Sequence, residues 1–263
     1  MKILVVHGSM RQGNTYALVK KITERLLTKP DVECIEISVA DLNLPFCQSC
    51  NACFAKGEAY CPHHAIMQGV QSALLECDGV IFSGVTYMWA LNAAMKNLLD
   101  HLAYGFHRPT LFGKKGMVIV TSSGSGEKSV AHYLKTVLGQ WGINGASMVT
   151  LNAKEQQLIS PDKASARLHR EAERFYRLIQ SGQFIAPSVK SIAVHNAFRA
   201  MSLSDFAEYA CDTQFWQRDG YCNKAYPVRA GFKYPIGVLM YAAAKYSTRM
   251  LGRIYAKRLT PRK

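Results

Sequence analysis

Long hydrophobic runs are missing from this sequence. The opening residues, MKILVVHG, combine one lysine with an apolar run that is too short for the core of a signal peptide. Residues 236–244 form an uncharged apolar stretch, but a membrane-spanning helix needs about 20 such residues. We therefore expect a cytoplasmic protein. Its eight cysteines should stay reduced there rather than form a disulfide framework.

Acidic residues are scarce, and none follows Asp219. The 263 residues include 32 Lys and Arg against 18 Asp and Glu, which gives a formal net charge of +14. A tail without acidic residues favours an anionic partner or surface. Nucleic acid is disfavoured as that partner, because no zinc-finger or RNP signature accompanies the charge.

Two common phosphate-binding signatures are also absent. The segment HGSMRQGNT, residues 7–15, contains neither a Walker A sequence nor GxGxxG. It lies between a predicted buried strand and a predicted helix, where backbone N–H groups and the helix dipole attract anions. Ser9, Asn14 and Thr15 can donate to a phosphate, and Arg11 can neutralise it. The alternative is a polar turn that caps the helix.

What the sequence does contain is a regular alternation of strand and helix patterns. Short apolar runs predict five strands, at 3–6, 32–39, 79–83, 117–121 and 145–151. Helical spacing predicts helices at 13–28, 65–75, 91–104, 128–141 and 161–179. The order predicts an α/β fold, a five-stranded parallel sheet with helices on both faces. We predict two domains, 1–182 with this fold and 183–263 as a mainly helical, aromatic- and Lys/Arg-rich extension.

Three segments resemble the NADPH-dependent FMN reductases of the flavodoxin-like superfamily. GSMRQGNT resembles their phosphate loop, Gly-Ser-x-Arg followed by Ser/Asn-Thr. SGVTYMWALNAAMKNLLDH, residues 83–101, resembles their Ser-Pro-x-Tyr…Lys-x-x-x-Asp-Arg segment, and TSSGSGE, residues 121–127, resembles their Gly/Ser-rich loop. The second segment departs from the family pattern at Gly84, Val85, Trp89 and His101.

The resemblance implies a flavodoxin-like, FMN-dependent, NAD(P)H-linked oxidoreductase that passes electrons to a quinone, a flavin or another small acceptor. It also implies a homodimer or a higher homo-oligomer. The implied FMN contacts are Ser9, Arg11, Asn14, Thr15, Thr86, Tyr87, Met88, Trp89, Ser122, Ser123 and Gly124. For the aromatic residues among them, ordinary core or interface packing is the alternative. The flavin itself would carry the redox chemistry, and no protein acid or base is identifiable as catalytic.

The stretch PFCQSCNACFAKGEAYCP, residues 45–62, contains four closely spaced cysteines. Cys47, Cys50, Cys53 and Cys61 follow C-x2-C-x2-C-x7-C, whose first part is the spacing with which bacterial ferredoxins begin a [4Fe–4S] site. The pattern resembles that of iron–sulfur flavoproteins, which implies an electron carrier with a ferredoxin-like partner. A zinc site and metal-free thiols are the alternatives. His63 and His64 can add ligands, although the sequence favours a polar helix start there.

A basic helix is predicted over residues 235–257. Its basic stripe consists of Lys245, Arg249, Arg253 and Lys257, and its apolar residues are Ile236, Leu239, Met240, Ala243, Met250 and Ile254. Either the apolar face packs on the core or on a second subunit, or the helix attaches the protein peripherally to an anionic membrane. The tail also leaves open a third function, a basic binding module whose flavin site no longer works.

Overall fold

The computed structural model describes residues 1–153, 161–204, 209–218 and 234–259. Its sheet consists of β1 (Lys2–His7), β2 (Glu33–Ser38), β3 (Gly79–Tyr87), β4 (Ala90–Leu91), β5 (Lys115–Ser122) and β6 (Ser147–Asn152). Five of these strands run parallel in the order β2-β1-β3-β5-β6, and β4 pairs antiparallel with the end of β3. The predicted five-stranded parallel sheet is therefore confirmed, with one short strand added.

Helices cover both faces of the sheet. They are α1 (Asn14–Leu27), α2 (Ala52–Ala55), α3 (His64–Glu76), α4 (Ala93–His101), α5 (Tyr104–His107), α6 (Glu127–Gln140), α7 (Pro161–Gln180), α8 (Val189–Ser202), α9 (Ala210–Gln217) and α10 (Tyr234–Leu259). A 3₁₀ turn, Glu58–Tyr60, separates α2 from α3. The predicted flavodoxin-like α/β architecture with a helical C-terminal part is confirmed.

The alternation of side chains along β1 divides the core into two layers. Ile3 and Val5 join α1 and α7 in one buried cluster, whereas Leu4 and Val6 join α3, α4 and α6 in the other. All four side chains are fully buried. A strand buried on both faces must be apolar at every position, which explains the continuous apolar run in the sequence.

The end of β3 differs from the prediction. The helix expected over 91–104 begins only at Ala93, because Thr86 pairs with Leu91 and Tyr87 with Ala90 in a short hairpin. The two residues of its turn, Met88 and Trp89, have φ angles of 48° and 65°. Positive φ at both positions matches the right-handed twist of a hairpin but is unfavourable for large side chains.

The C-terminal helices pack on the sheet domain through specific contacts. Ile192 of α8 is fully buried against Phe112 and Met240, and Lys115 Nζ donates to the Gln183 carbonyl oxygen at 2.6 Å. α8 and α9 were not predicted from the sequence. Among the described residues, no helix is both long and apolar enough to span a membrane.

The last helix, α10, packs through only part of the apolar face that the sequence suggested. Its contacts with α8 include Met240 against Ile192 and Tyr241 under the Arg199 guanidinium, 3.8 Å from the ring centroid. The exposed fractions of Ile236, Leu239 and Met250 are 38%, 70% and 49%. The expectation that these three residues pack on the core of the same chain is therefore wrong. The side chains of Arg253, Ile254 and Lys257 lie outside the described part.

Candidate functional site

Three loops that the sequence marked as functional meet at one edge of the sheet. They follow β1, β3 and β5, which are neighbours in the strand order. In a parallel sheet the carboxyl ends of neighbouring strands share an edge. The direction of the strand order reverses between β1 and β3, and open α/β sheets bind ligands at such a switch point.

The loop after β1 is fixed to β3 through Gly8. The Gly8 N–H donates to Ser83 Oγ at 3.0 Å, and Asn92 Nδ2 donates to the Gly8 carbonyl oxygen at 2.8 Å. A Cβ atom at Gly8 would lie 2.1 Å from the Ser83 carbonyl oxygen. Glycine is thus required at this position, and it brings the loop close to the end of β3.

The predicted phosphate contacts occupy this loop and the start of α1. Ser9 Oγ donates to the Arg11 carbonyl oxygen at 2.7 Å, which closes a tight turn. Gly13 is the N-cap residue of α1 and offers no capping side chain, and the first turn of α1 contains no acidic residue. Arg11 is exposed beside this helix end. The first turn therefore presents backbone N–H groups and a positive dipole to an anion.

Thr15 is placed differently from the other predicted phosphate contacts. It is buried, and its Oγ1 lies 2.6 Å from Thr121 Oγ1 at the end of β5. This hydrogen bond joins the first turn of α1 to the end of β5. The hydroxyl of Thr15 thus fixes the helix start that follows the loop after β1 against the strand that precedes the loop after β5.

On its other side the phosphate loop borders a cleft of about 250 Å³, lined by residues of β1, β2 and the loop. Glu36 lies there with Oε2 2.9 Å from His7 Nε2 and Oε1 3.2 Å from Lys20 Nζ. Burial acts to raise the pKa of Glu36, but hydrogen bonds from His7 and Lys20 outweigh it and lower that pKa. Ser9 and Arg11 also line this cleft, and the carboxylate, which stays ionised, disfavours an anion close to it.

The loop after β3 combines a buried polar atom with exposed apolar side chains. Thr86 is buried, and its Oγ1 makes no hydrogen bond within the described residues. The next three side chains are exposed: Tyr87 by 54%, Met88 by 96% and Trp89 by 76%. An unsatisfied buried hydroxyl is costly for a protein without a ligand, so this edge fits a bound group that has both a polar atom and a flat apolar surface.

The loop after β5 approaches the same place. A Cβ atom at Gly126 would lie 3.0 Å from Thr86 Cγ2 and 3.4 Å from Trp89 Cα, and Gly126 has a φ of +95°. Ser122 is buried, whereas Ser123 and Gly124 are exposed at the rim. The structure thus brings the three predicted groups of residues to one edge.

A second candidate site is the cysteine loop, residues 45–62, between β2 and α3. Asn97 of α4 holds its beginning: Asn97 Oδ1 accepts from the Cys47 N–H at 3.0 Å, and Asn97 Nδ2 donates to the carbonyl oxygens of Leu44 and Pro45, each at 3.0 Å. The seven cysteines that the structure describes are all free thiols. Cys47 and Cys50 are exposed, and Cys53 and Cys61 are half-buried.

Cys53 lies at the centre of this loop. Burial is the main cause that raises the pKa of its thiol to about 11; the neighbouring Cys61, Cys47 and Cys50 also act to raise it, and Arg108 acts to lower it. Each of the other three thiols is therefore near enough to Cys53 to affect its pKa. Metal binding would require these thiols to lose their protons.

A buried ion-pair network ties the cysteine loop to the C-terminal part. Arg108 Nη2 donates to the Cys53 carbonyl oxygen at 2.7 Å and to Glu58 Oε2 at 3.1 Å. Arg108 Nη1 also donates to Asp212 of α9, whose other oxygen lies 2.6 Å from His107 Nδ1. Asp212 is only 2% exposed, so the loop and α9 are held together by a desolvated charge pair.

Comparison with known proteins agrees with this arrangement. The family model of NADPH-dependent FMN reductases matches residues 1–156, which is more than half of the chain. The chain belongs to the NADPH-dependent FMN reductase family. It is an FMN-dependent oxidoreductase of flavodoxin-like fold.

The reductase is also similar to individual curated proteins and solved structures. An iron-sulfur flavoprotein of Archaeoglobus fulgidus is 28% identical over 231 residues, which cover 84% of this chain and all of that protein. Apo NADH:FMN oxidoreductase has a TM-score of 0.51 at 20% identity, over 66% of this chain and 87% of its own. An azoreductase from Bacillus anthracis has a TM-score of 0.54 at 18% identity, and the match covers 66% of this chain and 97% of the azoreductase chain. These two structures are similar to the reductase in fold.

Four residues that shape the candidate site were not among the contacts expected from the sequence: Ser83, Asn92, Thr121 and Glu127. Glu127 is buried at the start of α6 and accepts from Ser122 Oγ at 2.6 Å, and this hydrogen bond lowers its pKa. The hydroxyl of Ser122 is thus already engaged by the protein. A signal for Glu127 was available, since an acidic residue is favoured in the first turn of a helix.

Proposed function

We propose that the reductase holds FMN in the three loops and passes electrons from NAD(P)H to a quinone, a flavin or another small acceptor. The unpartnered hydroxyl of Thr86 is the observation that carries this proposal. It lies where the loops after β3 and β5 approach each other, beside three exposed, mainly apolar side chains. When bound, the flavin supplies the hydride and electron chemistry.

The FMN phosphate is assigned to the loop after β1 and the first turn of α1. Ser9, Arg11 and Asn14 would bind it, together with the first backbone N–H groups of α1. Thr15 would act by holding this loop to Thr121. The uncapped helix start and the exposed Arg11 support this placement.

The flavin ring is assigned to the loops after β3 and β5. Thr86 would donate to a ring acceptor, and Tyr87, Met88 and Trp89 would pack on the ring or on its rim. The backbone of Ser123 and Gly124 would approach from the other side, with Ser122 supporting Glu127 beneath. The exposure of Met88 and Trp89 also supports a homodimer in which a second copy covers this edge.

A Thr86→Val variant tests the ring assignment. Valine keeps the shape and removes the unpartnered hydroxyl, so the apo variant should be at least as stable as the parent while its Kd for FMN rises about 10-fold. Thr28→Val is the control, because the Thr28 hydroxyl donates to the Arg25 carbonyl oxygen at the far end of α1, away from the candidate site. FMN titration of apo protein, followed by fluorescence quenching, gives the affinities. Unchanged affinity in Thr86→Val would contradict the assignment.

Arg11→Ala tests the phosphate assignment separately. Loss of the guanidinium should weaken FMN binding about 10- to 100-fold and leave riboflavin binding unchanged, because riboflavin has no phosphate. Equal losses for FMN and riboflavin would remove Arg11 from the phosphate site. NADH and NADPH oxidation with a quinone and with free flavin as acceptors then identifies the acceptor class.

A second candidate function is an iron–sulfur electron carrier with a [4Fe-4S] cluster on Cys47, Cys50, Cys53 and Cys61. The close spacing of the four cysteines in one loop supports it, as does the similarity to the iron-sulfur flavoprotein of Archaeoglobus fulgidus. Such a carrier would exchange electrons with a ferredoxin-like partner. Anaerobic iron and sulfide reconstitution should give about four irons per chain, and Cys50→Ser should abolish it. Reconstitution that is equally complete in Cys50→Ser would exclude this cluster.

We also propose that the chain divides into a flavin domain, 1–182, and a helical extension, 183–263, which attaches peripherally to an anionic membrane through α10. Leu239 and Tyr246 are 70% and 68% exposed, and Lys245 and Arg249 are exposed on the same helix. Residues 234–259 contain five basic and no acidic residues. A second copy of this helix would repel the first, whereas anionic lipid would match both the charge and the apolar side chains.

A further inference from the structure

Two histidines lie beside Cys61, and the proposed flavin site does not use them. His63 is half-buried just before α3, and His101 is the last residue of α4. His63 Nδ1 and His101 Nε2 are 2.8 Å apart. One ring nitrogen of each histidine and Cys61 Sγ all lie within 4.8 Å of one another. Three atoms that commonly bind transition metals therefore share one small volume, although the residues come from separate elements.

A hydrogen bond to the backbone orients the ring of His101. His101 Nδ1 lies 2.9 Å from the Asn97 carbonyl oxygen. A carbonyl oxygen can only accept, so Nδ1 carries the proton and Nε2 presents its lone pair toward His63 and Cys61. A histidine whose other nitrogen donates to a backbone carbonyl is the usual arrangement of a metal ligand. His101 is only 5% exposed, so this orientation is held by packing.

We propose that Cys61, His63 and His101 bind a mononuclear divalent metal ion of borderline softness, with Zn²⁺ the best match. Ligand atoms on one tetrahedral zinc ion lie about 3.3–3.6 Å apart. The two imidazole nitrogens, now 2.8 Å apart, therefore need to separate by about 0.5 Å, and ligand atoms as far as 4.8 Å apart need to move together. On binding, Cys61 releases its proton to solvent, and the Nδ1 proton of His63 moves to Nε2. One tetrahedral position is left for a fourth ligand.

This site and the proposed cluster compete for Cys61 but differ in their other ligands. The cluster needs Cys47, Cys50 and Cys53, whereas the mononuclear site needs His63 and His101. Imidazole together with thiolate is a ligand set that zinc accepts readily. The proposal does not depend on flavin binding, because the three ligands lie outside the loops assigned to FMN.

Co²⁺ titration of the metal-free full-length protein tests the proposal. Co²⁺ in a tetrahedral site with sulfur and nitrogen ligands absorbs at long visible wavelengths, where oxidised flavin is transparent. We expect one Co²⁺ per chain, displaced by one Zn²⁺. Cys61→Ser and His63→Ala should each weaken binding at least about 100-fold, and His63→Ala is the safer variant because His63 is half-buried. His132→Ala, at an exposed histidine of α6, should bind Co²⁺ as the parent does.

Cys50→Ser separates this site from the cluster. Cys50→Ser should keep full Co²⁺ binding and lose iron–sulfur reconstitution. His63→Ala should lose Co²⁺ binding and keep iron–sulfur reconstitution. No tetrahedral Co²⁺ spectrum in the parent, or equal loss of that spectrum in Cys50→Ser and His63→Ala, would overturn the mononuclear site. Flavin content, measured on the same samples, should be unchanged in each variant, so that failure of this inference is distinguishable from failure of the FMN site.

Discussion

At the scale of single residues, Gly8 sets how closely the loop after β1 approaches β3. A Cβ atom there would lie 2.1 Å from a backbone oxygen that cannot move away easily. We expect Gly8→Ala to lower the free energy of unfolding by about 1–3 kcal/mol. Gly69→Ala is the control: nothing lies within 4 Å of its added Cβ on α3, so it should raise stability by about 0.5–1 kcal/mol. Urea unfolding of both variants should show changes of opposite sign in the free energy of unfolding.

Glu127 makes the stability of the apo protein depend on pH in a defined direction. The Ser122 hydroxyl lowers the pKa of this buried carboxyl, so its ionised form stabilises the folded state above the ordinary glutamate pKa of about 4.3. That contribution is lost as the pH falls through the lower folded pKa. Glu127→Gln should therefore be less stable than the parent at pH 7, and the difference should shrink on acidification. A difference that grows toward low pH would contradict this.

At the scale of elements, the attachment of α9 depends on the pair of Arg108 and Asp212. Removing Asp212 leaves a buried guanidinium with fewer partners, so Asp212→Ala should cost about 3–5 kcal/mol. The exposed pair of Lys96 and Asp100 on α4 is the matched comparison, and Asp100→Ala should cost less than about 1 kcal/mol. Chemical unfolding of both variants measures this contrast. Equal effects would mean that burial does not strengthen the Arg108 pair.

Sequence patterns are sufficient to predict most of the helices and strands, but not the contacts between them. The five parallel strands and the helices α1, α3, α6 and α7 follow from apolar periodicity, and the three candidate site loops follow from their places after strands. The hydrogen bonds of Gly8 do not, because they join residues 75 and 84 positions apart. The contact between His63 and His101 could not be predicted either, because these residues are 38 positions apart. Local patterns predict elements, whereas these site contacts depend on how the elements pack.

At the scale of the whole molecule, Lys245, Arg249 and several apolar side chains of α10, Leu239 among them, are exposed. Each basic residue near an anionic membrane contributes about 1 kcal/mol. The double variant Lys245→Gln/Arg249→Gln should therefore lose about 2 kcal/mol of binding to vesicles of phosphatidylserine and phosphatidylcholine, or about 30-fold in affinity. Leu239→Ser should also weaken binding, because the exposed leucine can enter the lipid interface.

The matched control for this prediction is Lys163→Gln/Arg170→Gln, which removes two exposed charges from α7 and leaves α10 intact. If the attraction were due to the net charge of +14 alone, both double variants would weaken co-sedimentation equally. If α10 is the attachment site, only the α10 variants should do so. Binding should also fall with added salt and disappear on neutral vesicles. Binding that persists on neutral lipid would instead assign the exposed apolar face to another partner.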